Sequence, residues 1–90
     1  MKLHLGGHLS WYDPQKRSWI EIKLSEPTML SDVLKTLGVP VAEIAVGAVN
    51  GAAIFSFEDV RVHDEDRVEL FPPVGGGSAV ISFLDFVSTL

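Results

Sequence analysis

One stretch of this 90-residue chain offers chemistry through its backbone: Phe71-Pro72-Pro73-Val74-Gly75-Gly76-Gly77. It contains no nucleophile, acid or base. The three glycines have no side chains to fill space or limit φ. Such a segment can thread a slot that rejects any bulkier residue. What it could present at the bottom of that slot is main chain alone. Pro72 and Pro73 stop the strand before them, since neither can donate a ladder hydrogen bond. The chain does not end at Gly77 but continues from Ser78 to Leu90.

The other reactive side chains form no comparable pattern. Ser10 or Ser18 with a histidine and Asp13 makes a triad only on paper, because nothing in the sequence positions them. His4, His8 and His63 lack metal-ligand spacing, and His4 and His63 read as surface residues. Asp64, Glu65 and Asp66 are adjacent and cannot wrap one ion without other donors, so they read as a solvated turn. Gly6-Gly7 lacks the later glycine and helix start of a phosphate loop. Trp11, Tyr12 and Trp19 either pack across strands, the favoured reading, or form an exposed partner surface. No acid–base pair, nucleophile constellation or metal set points to an enzyme.

Bulk properties narrow the class. The length suits one domain with a single modest core. A hydrophobic content of 47% fits a globular protein. The net charge of -5 suits a basic protein partner and argues against nucleic acid, which needs clustered Lys and Arg. Without cysteine there are no disulfides, thiolate metal sites or cysteine nucleophiles. A cytoplasmic location is expected. Residues 1–9 lack the apolar run of a signal peptide. Residues 79–90 are apolar but shorter than the roughly 20 residues of a membrane span.

The tail needs a scaffold, and hydrophobic periodicity outlines one. Lys2-Leu3-His4-Leu5 alternates as a strand does. Gly6-Gly7 predicts a bulge or bend, and Asp13-Pro14-Gln15-Lys16 a turn. Residues 18–24 alternate again, with Ile20, Ile22 and Leu24 on one face, completing an antiparallel hairpin. Leu30, Val33, Leu34 and Leu37 then fall at i, i+3, i+4 and i+7 of a helix. Thr28 is its expected N-cap, Gly38 its C-terminal residue and Pro40 its stop. A short helical turn is expected over 40–44. Residues 45–49 read as a strand covered on both faces. Asn50-Gly51 signals a hairpin into a short strand at 52–54. Phe57 and Val62 are expected to plug the core from the connection that follows. After the polar turn at 63–66, residues 67–71 form the last strand, expected beside the first. The result is an α+β roll, with one main helix on one face of a mixed four- to five-stranded sheet: the β-grasp, or ubiquitin-like, fold.

Several ordered pieces resemble the MoaD/ThiS family of ubiquitin-like sulfur carriers. They are Val39-Pro40 after the helix, Val49-Asn50-Gly51, Asp64-Glu65-Asp66-Arg67-Val68, and Phe71 to Gly77. The resemblance covers residues 1–77 and maps Gly76 and Gly77 onto the family's terminal glycine pair. It implies a carrier that is not itself an enzyme and binds no cofactor. An E1-like enzyme would adenylate the Gly77 carboxylate with ATP, and a sulfur donor would convert it to a thiocarboxylate. A sulfur-accepting synthase subunit would then use that sulfur for molybdopterin or tungstopterin, thiamin or a related product. Phe71, Pro72, Pro73, Val74 and Gly75 would present the tail to these partners.

The chain departs from the family twice. Glu65 replaces a usual glycine, which predicts a different turn geometry or a strained φ. The larger departure is residues 78–90, which leave Gly77 in an amide bond. Two readings stand. The segment is a pro-segment removed by a peptidase, or it is permanent and the chain is a ubiquitin-like interaction module. Val80, Ile81, Phe83, Leu84, Phe86 and Val87 would then cover the sheet's exposed face, extend a strand or pair two copies into a homodimer.

Overall fold

The computed structural model describes residues 1–73. Its main sheet has five strands: β1 (Lys2–Leu5), β2 (Trp19–Glu21), β4 (Val46–Val49), β5 (Ala52–Ile54) and β7 (Arg67–Phe71). Their order is β2-β1-β7-β4-β5. β7 runs parallel to β1 and antiparallel to β4, so the sheet is mixed. β3 (Thr28–Met29) and β6 (Arg61–Val62) form a separate antiparallel pair beside the helix α1 (Leu30–Leu37). This is the expected β-grasp roll with its last strand beside its first.

Alternation within the strands sorts residues into two faces. Leu3, Leu5, Val68 and Leu70 point toward α1 and are essentially inaccessible. They join Leu30, Val33 and Leu34 of the helix and Phe57 and Val62 of the later connection in one core. The two expected plugs are therefore in place. Gly47 lies on the same face because a Cβ there would come within 3.1 Å of the Phe57 ring and 3.0 Å of Leu70.

Several local expectations hold. Asn50 and Gly51 both take positive φ, 51° and 84°, as the β4–β5 hairpin requires. Gly38 ends α1 at φ 75°, in the left-handed region. A 3-10 turn at Val41–Glu43 follows Pro40.

Others are corrected. Thr28 is not the N-cap: Met29 is, without a side-chain cap, and Thr28 instead pairs with Val62 in β3. Pairing with β6 recruits these two residues into a strand before the helix begins. The Gly6-Gly7 bend is the entry to a 3-10 helix, Gly7–Tyr12, whose Leu9 is fully buried. The second strand ends at Glu21 rather than Leu24; Leu24 N–H is taken by the Asp64 carboxylate at 2.8 Å instead of a ladder carbonyl. Of the two outcomes expected at Glu65, a different turn geometry or a strained φ, the strained φ does not occur: among the described residues other than glycine, only Lys16 and Asn50 have a positive φ. The turn is closed by Asp66, whose N–H meets His63 O at 3.0 Å while its carboxylate accepts His63 N–H at 2.7 Å.

The loop joining β1 to β2 is pinned by Asp13, which is only 6% exposed. Its carboxylate accepts from Arg17 Nε and Nη2, each at 3.0 Å, and from the N–H groups of Arg17 and Gln15. The Arg17 side chain and backbone hold the Asp13 pKa down to about 2 from 3.8. A depressed folded-state pKa gives stability that is present above the unfolded value and lost as pH falls through it toward the folded one. Thermal melts from about pH 5 to about pH 2 should therefore fall more steeply for the native chain than for Asp13→Asn. Equal slopes would show that the Asp13–Arg17 pair does not contribute to stability.

Candidate functional site

The described part of the site is the exit of β7. Two backbone bonds hold the strand to its end. Gly6 N–H donates to Leu70 O at 2.8 Å from the β1 side, and Ala45 N–H donates to Phe71 O at 2.9 Å from the β4 side. Phe71 is the last strand residue and is half-buried, Pro72 is buried and Pro73 is exposed. Val74, Gly75, Gly76, Gly77 and the segment from Ser78 to Leu90 lie outside the described residues.

Gly6 and Gly7 form a cradle for this exit. A Cβ on Gly6 would come within 2.9 Å of both Leu70 O and the Phe71 ring. A Cβ on Gly7 would come within 2.9 Å of Pro72 Cγ, and Gly7 has φ +52°. On sequence alone this pair reads as a bulge or bend. The signal was available: once β7 is set parallel to β1, the Leu5–Leu70 register carries Gly6 alongside Phe71. The glycines let the β1 backbone and the 3-10 helix close on the Phe71-Pro72 hinge.

The sheet face opposite α1 spreads from this hinge. Across its five strands one row reads Trp19, His4, Glu69, Ala48 and Ala53. His4 is not a simple surface residue. Its ring lies 4.7 Å from that of Trp19 and 5.6 Å from that of Phe71, and its Nδ1 is buried without a hydrogen-bond partner. Glu69 is 3% exposed, with Arg67 Nε 3.0 Å from its Oε1 but not aligned as a hydrogen bond. At the β2 margin a shallow groove of about 520 Å³ is lined by Lys2, Trp19, Ile20, Glu21 and Arg67.

The aromatic residues split. Trp19 does pack across strands on His4, yet it remains 48% exposed, and Trp11 is 70% exposed. The favoured reading of simple cross-strand packing therefore fails for Trp11. Tyr12 is half-buried and donates its hydroxyl to Glu43, which holds the phenol's pKa above its ordinary value. His8 Nε2 is 3.6 Å from the same Glu43 carboxylate.

The acidic turn has structural work for two of its three carboxylates. Asp64 accepts Leu24 N–H, the main cause of its lowered pKa, and lies 3.5 Å from the N-terminal ammonium. Burial pushes Asp66 up, but hydrogen bonds from Asn50 Nδ2 and His63 pull it below the usual value overall. Asn50 therefore does more than turn the hairpin: its Oδ1 also accepts Arg67 N–H at 2.9 Å. No group of three or more potential metal ligands occurs among the described residues. Among them, no helix is long and apolar enough to cross a membrane.

Comparison with known proteins gives one family. The model described as the ThiS family matches residues 15–77. The match stops at the last of the three glycines and leaves out residues 78–90. No curated protein matches the chain.

Proposed function

The chain belongs to the ThiS family of ubiquitin-like, β-grasp sulfur carriers, and from that membership we infer that Gly77 is its sulfur-carrying terminus. Carriers of this family work with E1-like activating enzymes and sulfur-accepting partners. The observation that carries the reading is the register of the match. Its last residue is Gly77, at the end of a diproline–glycine tail rooted in the centre of the sheet.

The chemistry begins with hydrolysis of the Gly77–Ser78 amide by a peptidase. Water supplies the oxygen of the new Gly77 carboxylate, and Ser78 leaves with a free amine. A carboxylate oxygen then attacks the α-phosphorus of ATP on the E1-like enzyme, and pyrophosphate departs. Hydrosulfide, delivered by a sulfur donor, displaces AMP from the acyl-adenylate to leave a thiocarboxylate. That sulfur passes to molybdopterin or tungstopterin, thiamin or a related acceptor on the synthase subunit. The carrier contributes no acid, base or metal to these steps and binds no cofactor of its own.

The division of the chain follows from this chemistry. Residues 1–77 are the carrier, and residues 78–90 are a segment removed before activation. Phe71 and Pro72, held by the Gly6-Gly7 cradle, fix where the described chain leaves the body at Pro73. Trp19, His4 and Phe71 lie at the root of the tail, on the face an activating enzyme would meet as it takes in the glycines.

The test is intact mass spectrometry of a chain ending at Gly77, after incubation with ATP and the E1-like enzyme of the same cell. An adenylate or thiocarboxylate at the terminus is expected. An unmodified mass, with an enzyme shown to activate another carrier, would overturn the reading.

A further inference from the structure

The outer strands of an open sheet leave part of their backbone without ladder partners. In the main sheet β2 and β5 hold those positions. Alternate residues of β2 bond to β1. Leu5 N–H donates to Ser18 O at 2.7 Å, and Met1 and Ile22 exchange bonds of 2.6 and 2.8 Å. An antiparallel ladder continues this alternation through the Leu3–Ile20 pair. Trp19 and Glu21 therefore turn their N–H and C=O groups away from β1, toward the margin of the sheet. No other described strand pairs with β2. Beside this edge lies the groove of about 520 Å³ lined by Lys2, Trp19, Ile20, Glu21 and Arg67, in which Trp19 is 48% exposed.

The bulk charge hides a basic margin. The chain has a net charge of -5, yet residues 16–23 hold Lys16, Arg17 and Lys23 against a single acid, Glu21. Asp13 neutralises Arg17, while Lys16 and Lys23 stay exposed. Lys2, the cross-strand neighbour of both Glu21 and Arg67, adds another exposed cation on the groove. The opposite edge has no such charge, since β5 consists of Ala52, Ala53 and Ile54.

We propose that the free edge of β2 binds an extended acidic segment of a partner protein, which adds a strand to the sheet by bonding to the Trp19 and Glu21 backbone and places a carboxylate against Lys2. Main-chain bonds supply the pairing and alternate side chains the selectivity. The added strand would lie about 4.8 Å beyond β2 and about 10 Å from β1. A glutamate and Lys2 can close that gap between them. An apolar residue on the same side of the added strand would pack on the exposed Trp19 ring. A second copy of β2 is a poor occupant: full antiparallel register with itself sets Arg17 opposite Lys23, and like charges directly opposed are destabilising.

The probe is a capped peptide of alternating glutamate and valine, added to the full-length, isotopically labelled chain. At about ten times its Kd, the Trp19 and Glu21 amides should exchange with solvent about tenfold more slowly, because only the unbound fraction exchanges. The outward amide of Ala53 on β5 is the internal control and should not change. A peptide of alternating lysine and valine should protect neither edge. Glu21→Pro removes an outward N–H and spares the β1 ladder, so the variant should melt as a folded chain and lose binding. Glu21→Ala keeps that N–H and should bind at least as tightly as the native chain. Lys2→Glu should weaken binding about tenfold. Unchanged exchange at Trp19 and Glu21, equal protection by the lysine peptide, or binding that survives Glu21→Pro would overturn the proposal. So would protection that grows with protein concentration in the absence of peptide, since that makes a second copy the occupant. If Glu21→Pro does not fold, Lys2→Glu decides, and unchanged affinity overturns the proposal. The assay contains neither ATP nor an activating enzyme, so its failure is separate from any failure of the carrier reading.

Discussion

Replacing Gly6 with valine is expected to leave a folded protein that its activating enzyme uses about 100-fold less efficiently, measured as kcat/KM for adenylation of a chain ending at Gly77. The added Cβ would stand 2.9 Å from Leu70 O, a backbone atom that cannot swing aside, and 2.9 Å from the Phe71 ring. Something in the hinge must move. The core-facing residues of β1 and β7 lie on the other side of the sheet, and the ladder from Lys2–Arg67 to Leu5–Leu70 precedes the substitution. The stability cost should therefore be that of local overpacking, about 1–3 kcal/mol. The tail's direction bears the larger consequence, because misplacing a reacting group by about 1 Å can cost on the order of 100-fold in rate. Circular dichroism and a melt establish that the variant folds, and the rate assay reads the effect. Unchanged kcat/KM in a folded variant would remove the cradle from the account.

The second large effect is all-or-none. The full-length chain should form no adenylate under conditions where the chain ending at Gly77 is converted. The reason is covalent: an amide-bonded Gly77 has no carboxylate to attack ATP. Gly77→Val at the end of the shortened chain should also fail, because its isopropyl group cannot follow the glycines into a slot fitted to a bare backbone. Intact masses separate the three cases. An adduct on the full-length chain would place the activated group elsewhere.

Much of the scaffold was legible because its signals were local and redundant. Leu30, Val33, Leu34 and Leu37 have the helical period, and Gly38 and Pro40 mark its end. Asn50-Gly51 has the only common hairpin geometry that asks for positive φ at two successive residues, and it adopts that geometry. Phe57 and Val62 are buried as expected, but the same connection holds Phe55, which is 70% exposed, and Val60, which is half-buried, so apolar character alone does not pick out the plugs. What was hidden depends on contacts distant in sequence. Thr28 has the chemistry of a cap, yet pairing with Val62, far along the chain, makes it a strand residue. Leu24 continues an alternating pattern, but the Asp64 carboxylate captures its N–H and the strand stops at Glu21. Glu65 looked costly only by comparison with a family glycine; the carboxylate of Asp66 closes the turn without a left-handed residue.

The site divides in the same way. The diproline and glycines stand out as composition alone. The Gly6-Gly7 cradle is invisible until β1 and β7 are placed side by side, because its meaning lies in what a Cβ would strike. His4 was misjudged for a related reason: its polar ring is half-covered by Trp19 from one neighbouring strand and Phe71 from the other.

The intact mass of the mature protein, purified from its own cells without an affinity tag, tests the central claim most directly. The account predicts a chain that ends at Gly77, with part of the population carrying sulfur in place of one terminal oxygen. A population that invariably retains Leu90 would contradict it and leave an interaction module with a permanent tail.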